Sequence, residues 1–156
     1  MHPYSPPPQR TALCPARAQP PYPPPGLVLS LTLPGNPRSA SVGRHAVTAA
    51  LSAHGLRSHA WPVTHVVTEL IAVNAALTPG RDLYLSLRRR DGTLRLVLRD
   101  QHPHHPDPDT LALCEVRRRR ALWLLAAVVD DWGGDWGLRA AQAPDAGVTS
   151  WVVLPQ

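Results

Sequence analysis

Lysine is absent from these 156 residues, so the fixed positive charge rests on 16 arginines. No side chain can therefore serve as a catalytic amine, and every cation is a planar fork suited to phosphate or carboxylate. Cysteine is scarce: Cys14 and Cys114 stand far apart, forming neither a disulfide framework nor a metal spacing. Long apolar runs are missing too. The longest, Ala121 to Val129, falls far short of the roughly 20 residues that span a bilayer, which excludes a membrane-spanning protein. The start MHPYSPPPQR lacks the charged-then-apolar pattern of a secretory signal, so a cytoplasmic protein is expected. There are no internal repeats.

What is present fits a small globular domain. Apolar residues make up 44% of the chain, against the low share of a disordered one. The net charge of +5 permits an acidic protein, a nucleotide or a nucleic acid as partner and selects none of them. Residues 1–25 carry Pro6-Pro7-Pro8 and Pro20-Pro21-Tyr22-Pro23-Pro24-Pro25, a composition that reads as a disordered polyproline-rich tail. The working domain is then 26–156.

Along that domain, Gly26 to Leu33 alternates as a strand and stops at Pro34-Gly35. Arg38 to His54 reads as a helix with Val42, Ala46, Ala49, Ala50 and Ala53 on one side and Gly55 as its cap. Trp61 to Leu77 reads as a second helix, with Pro62 in its first turn. Asp82 to Arg88 and Leu94 to Asp100 flank Asp91-Gly92, a hairpin signal. Gln101 to Asp109 is expected as a loop, Val116 to Asp131 as a buried helix and Val148 to Leu154 as a closing strand. Strands with helices set between them predict an α/β two-layer sandwich, its sheet mixed but mainly antiparallel, with helices on one face.

Four segments carry the functional signal: Val66 to Gly80 on the second helix, Leu94 to Asp100, Arg120 to Gly133, and Thr149 to Leu154. In this order they resemble the small actinobacterial ATPases of the histidine-kinase-like superfamily, nearest to the anti-sigma-factor serine/threonine kinases, over about residues 27–156. The resemblance implies the layered Bergerat fold, ATP and Mg²⁺ as ligands, and a sigma factor or anti-sigma antagonist as partner, the antagonist being phosphorylated on serine. It leaves a homodimer open.

Residue by residue, the resemblance makes Glu69 the base or positioner of the attacking group. The family's Mg²⁺ asparagine comes four residues later, where this chain has Val73; Asn74 follows one position late. Five residues of regular helix rotate by about 140° net, which turns Asn74 away from Glu69. Either the asparagine is lost, or a one-residue π-bulge returns Asn74 to the site; the rarity of π-bulges favours the first. Asp100 matches the carboxylate that accepts the adenine amino group. The glycines of the phosphate loop are replaced by Arg119 and Ala121, with Arg120 between them, and the lysine before the last strand by Val148. If phosphates bind, Arg119 and Arg120 steady them by side chain. If not, the run Arg117 to Arg120, expected at a helix N-terminus where the dipole disfavours cations, blocks the place or is solvated.

Two functions follow: an ATP-binding regulatory kinase, and an ATP-independent interaction module that keeps the fold. Nucleic-acid binding rests on charge alone and is not expected, since no recognition helix or aromatic platform is evident. His102, His104, His105, Asp107 and Asp109 match no standard metal spacing, so metal binding is not expected there either.

Overall fold

Leucine alternating with polar residues builds the centre of the sheet. A computed structural model describes residues 26–141 and 146–156, so the reading of residues 1–25 as a tail lies outside the described residues. Strands β2 (Asp82–Arg90) and β3 (Thr93–Arg99) pair antiparallel, with Leu85 opposite Leu98 and Leu87 opposite Leu96. Asp91 and Gly92 take φ of 50° and 71°, the paired positive values that a tight two-residue hairpin requires. Strand β1 (Val28–Pro34) pairs with β2. On the other side β5 (Val148–Pro155) lies against β3, and β4 (Asp135–Ala140) closes the edge, giving the order β1-β2-β3-β5-β4.

Every one of these pairings is antiparallel, so the described sheet is antiparallel rather than mixed. The closing strand is also internal, because β4 lies outside it. Gly137 interrupts the alternation that would have marked β4. A Cβ there would come within 2.6 Å of the Trp151 indole, so glycine lets the neighbouring ring lie across the strand.

One face of the sheet is packed by helices. Helix α2 (Ala60–Leu77) buries Val63, Val66, Val67, Leu70 and Ile71 completely. With the short turn before it, this is the one described helix long and apolar enough to cross a membrane, with a mean hydropathy of 1.2; here it is the core helix. Helix α1 (Arg38–Ala53) packs on it through Ala40, Gly43, Val47 and Leu51. That is not the expected side: Val42 is exposed, as are Ala49 and Ala53. Gly43 decides the orientation, since a side chain there would collide with Ile71 of α2.

The region expected as one helix from Val116 is two. Helix α3 (Pro108–Ala121) begins eight residues earlier, and Leu122, with non-helical backbone, separates it from α4 (Trp123–Asp131). Asp107 caps α3, its carboxylate accepting from the Thr110 N–H at 2.9 Å, and Pro108 opens the first turn. The Asp107 carboxyl is held below its ordinary value by the Thr110 side-chain and backbone hydrogen bonds. Helix α4 buries Leu125, Val128 and Val129, whereas the only buried residue of α3 is Arg118. Arg118, Arg119 and Arg120 thus occupy the last turn of α3. This corrects the expected helix N-terminus: at a C-terminal turn the macrodipole favours cations.

Candidate functional site

Asp100 follows the last residue of β3 and is fully buried. Its Oδ1 accepts the backbone N–H groups of His102 (3.0 Å) and Val148 (2.7 Å), which tie the loop and the start of β5 to the end of β3. Its Oδ2 lies 2.6 Å from Nη1 of Arg118. The contact is ionic without hydrogen-bond alignment, and the same Nη1 donates to Oδ1 of Asn74 on α2. Asn74 is itself fully buried and donates through Nδ2 to the Leu70 carbonyl at 2.6 Å. Thr78 completes the helix end, its hydroxyl donating to the Asn74 carbonyl.

The carboxylate at the strand end and the asparagine of α2 therefore do face one interior space. They meet through Arg118, which spacing alone did not single out. Residues 114 and 118 share a face of α3 only once that helix is known to start at Pro108; the Asp-Pro cap was the available signal. Helix α2 is regular throughout, with no π-bulge. Asn74 points into the core from that regular helix. Glu69 lies on the flank, half-buried, and among the described residues it has no hydrogen-bonded or ionic partner.

Arg119 and Arg120 do not join this cluster. Arg119 pairs with Glu115 one turn back at 2.9 Å and lies 5.5 Å over the Trp136 ring, while Arg120 is exposed. The positions of the missing glycines, Arg119 and Ala121, are inside α3 with helical backbone.

Whether these residues suit ATP and Mg²⁺ can be judged from their partners. Both oxygens of Asp100 and both ends of the Asn74 amide are engaged within the protein. The cavity beside Arg118, bounded by His102, His105, Cys114, Leu138 and Val148, is about 60 Å³, and Asp100 also borders an open cleft of about 520 Å³ with Tyr84, Arg99 and Gln101. Small-molecule sites run to roughly 300–1,000 Å³. In this arrangement Asp100 and Asn74 are committed to partners within the protein and do not fit adenine or a metal-bound triphosphate unless Arg118 moves, and no step is derived through them.

His102 borders the same space. Burial holds its imidazole below the ordinary histidine value, and the charge of Arg118 adds to the effect, while Asp100 opposes it. Among the described residues His102, His105 and Cys114 also bring their ligand atoms together, which the sequence did not predict.

No protein-family model matches the sequence, and no curated protein matches it. Among the solved structures, the chain is similar to a mycobacterial sensor histidine kinase, MprB. The match has 20% identity and a TM-score of 0.47, over 62% of this chain and 73% of that one.

Proposed function

We propose that this is a kinase-like regulatory domain whose nucleotide site is filled by its own Arg118. It works as an ATP-independent interaction module toward a sigma factor or an anti-sigma antagonist. The observation that supports this is the buried Arg118–Asp100 pair, with Asn74 as the second acceptor. A buried ion pair that loses one partner leaves an uncompensated charge, at a cost of about 3–5 kcal/mol. A nucleotide would have to displace Arg118 and offset that cost. The partner class comes from the family resemblance. The exposed Leu113 and Val116 of α3 and Trp123 of α4 supply apolar surface for a protein to cover.

A second reading is favoured by one observation: Arg118 is the only buried residue of α3. An outward swing of that helix frees Asp100 for adenine and Asn74 for Mg²⁺, with Glu69 as base and Arg119 and Arg120 at the phosphates. The chain is then a serine/threonine kinase held shut.

Titration of Mg-ATP into the purified protein, followed by melting temperature, separates the two. A ligand at a hundred times its Kd adds about 2.7 kcal/mol, a shift of several degrees. The interaction-module reading predicts no shift at millimolar Mg-ATP and partner binding that is indifferent to it. A shift abolished by Asp100→Asn in a folded protein shows ATP bound at this site, overturns the interaction-module reading and supports the kinase reading instead.

A further inference from the structure

Three ligand atoms converge beside the filled site. Nε2 of His102 lies 3.0 Å from Nε2 of His105, and Sγ of Cys114 lies 3.2 Å from the latter and 3.5 Å from the former. A tetrahedral zinc with ordinary bond lengths sets its ligands about 3.3 Å apart for two nitrogens and about 3.6 Å for nitrogen and sulfur. The three edges found here are those of one face of such a tetrahedron, slightly contracted. Ring N–H and S–H protons can bridge these three atoms, or one cation can take the lone pairs of all three at once. Arg118, the nearest fixed cation, is engaged with Asp100 and Asn74.

The back of the site fits the same occupant. Nδ1 of His102 is buried with no partner in hydrogen-bonding geometry. A proton on Nδ1 leaves Nε2 with its lone pair toward Nε2 of His105 and Sγ of Cys114, the tautomer that a ligating histidine needs. The fourth position opens into the cavity of about 60 Å³, which has room for a water.

We infer that His102, His105 and Cys114 form a site for a soft divalent transition metal, zinc by its donor set, with three protein ligands and one open position. Softness follows from the thiolate and two imidazoles, which suit zinc over magnesium or calcium. Two ligands come from the loop before α3 and the third from α3 itself, one turn before Arg118. The metal therefore fastens that loop to the helix that carries the buried arginine. The inference is independent of whether ATP binds.

The test uses full-length, tag-free protein freed of metal by a chelator and titrated with Co²⁺, then Zn²⁺, near neutral pH. The expected result is one Co²⁺ per chain, a thiolate-to-cobalt charge-transfer band with strong visible bands of a four-coordinate ion, and displacement by Zn²⁺. Cys114→Ser abolishes the charge-transfer band and weakens Zn²⁺ binding at least tenfold. His105→Ala weakens it likewise, so the result does not rest on one variant. Cys14→Ser and His104→Ala bind as the parent does. Absence of a thiolate band, a band that survives Cys114→Ser, or Zn²⁺ affinity unchanged in both ligand variants overturns the proposal.

Discussion

The sheet with α1, α2 and α4 buries leucine and valine against one another, whereas α3 buries an arginine and turns Leu113 and Val116 to solvent. The first half is held by a non-directional force that grows with apolar area. The second is held by one ion pair, one amide and a helix cap, each dependent on a specific partner. A region held this way loses much of its hold when one contact is removed, while the core spreads its hold over many. The half that carries α3 is therefore also the half whose stability hangs on a few named polar atoms.

The largest effect expected is from Arg118→Met. It leaves Asp100 buried without its cation, and denaturant unfolding is predicted to show a loss of about 3–5 kcal/mol. A loss below about 1 kcal/mol would show that α3 is held by something other than this contact. Leu96→Ala, in the fully buried row opposite Leu87 and Val152, is predicted to cost about 2–5 kcal/mol. The two variants differ in where the loss is felt. Hydrogen exchange should show α3 amides opening early in Arg118→Met with β3 still protected, and the whole sheet weakened in Leu96→Ala.

Acid sharpens the same contrast. His102 has its folded-state value lowered, so the folded protein prefers the neutral ring. Its contribution is fully present above the ordinary value of about 6.5 and is lost as pH falls below that, toward the lowered value. Melting followed across this window should fall, and His102→Gln should flatten the fall. Asp107 acts in the same direction at more acid pH, since its lowered carboxyl must be protonated before the α3 cap is lost. Smallest of all, Arg120→Ala should stay within about 0.5 kcal/mol of the parent in denaturant unfolding because its side chain is exposed, while Arg119→Ala should lose about 0.5–1 kcal/mol with its Glu115 pair and its contact over Trp136.

The contrast also explains what the sequence disclosed. Strands β2 and β3, the Asp91-Gly92 turn and α2 were legible because burial on one face writes a period into the chain. Asp100 was legible as the carboxylate at a strand end. The face of α1 was misread, since alanines on the far side imitate an apolar stripe and Gly43, the true contact, carries no side chain. Helix α3 was half missed because an arginine is its buried residue, so no apolar period exists to find. Arg118 stood within a run of four arginines that only the start of α3 can tell apart. Cys114 was set aside for the same reason: its distance from His102 and His105 closes only when loop and helix fold back on one another.

The central claim is that Arg118 and Asp100 are energetically one unit. A double-mutant cycle with Arg118→Met and Asp100→Asn, read by denaturant unfolding, tests it most directly. The account predicts that the double variant is more stable than the summed single losses imply, by about 0.5–3 kcal/mol. Additive losses would contradict it, because the arginine and the carboxylate would then not depend on each other.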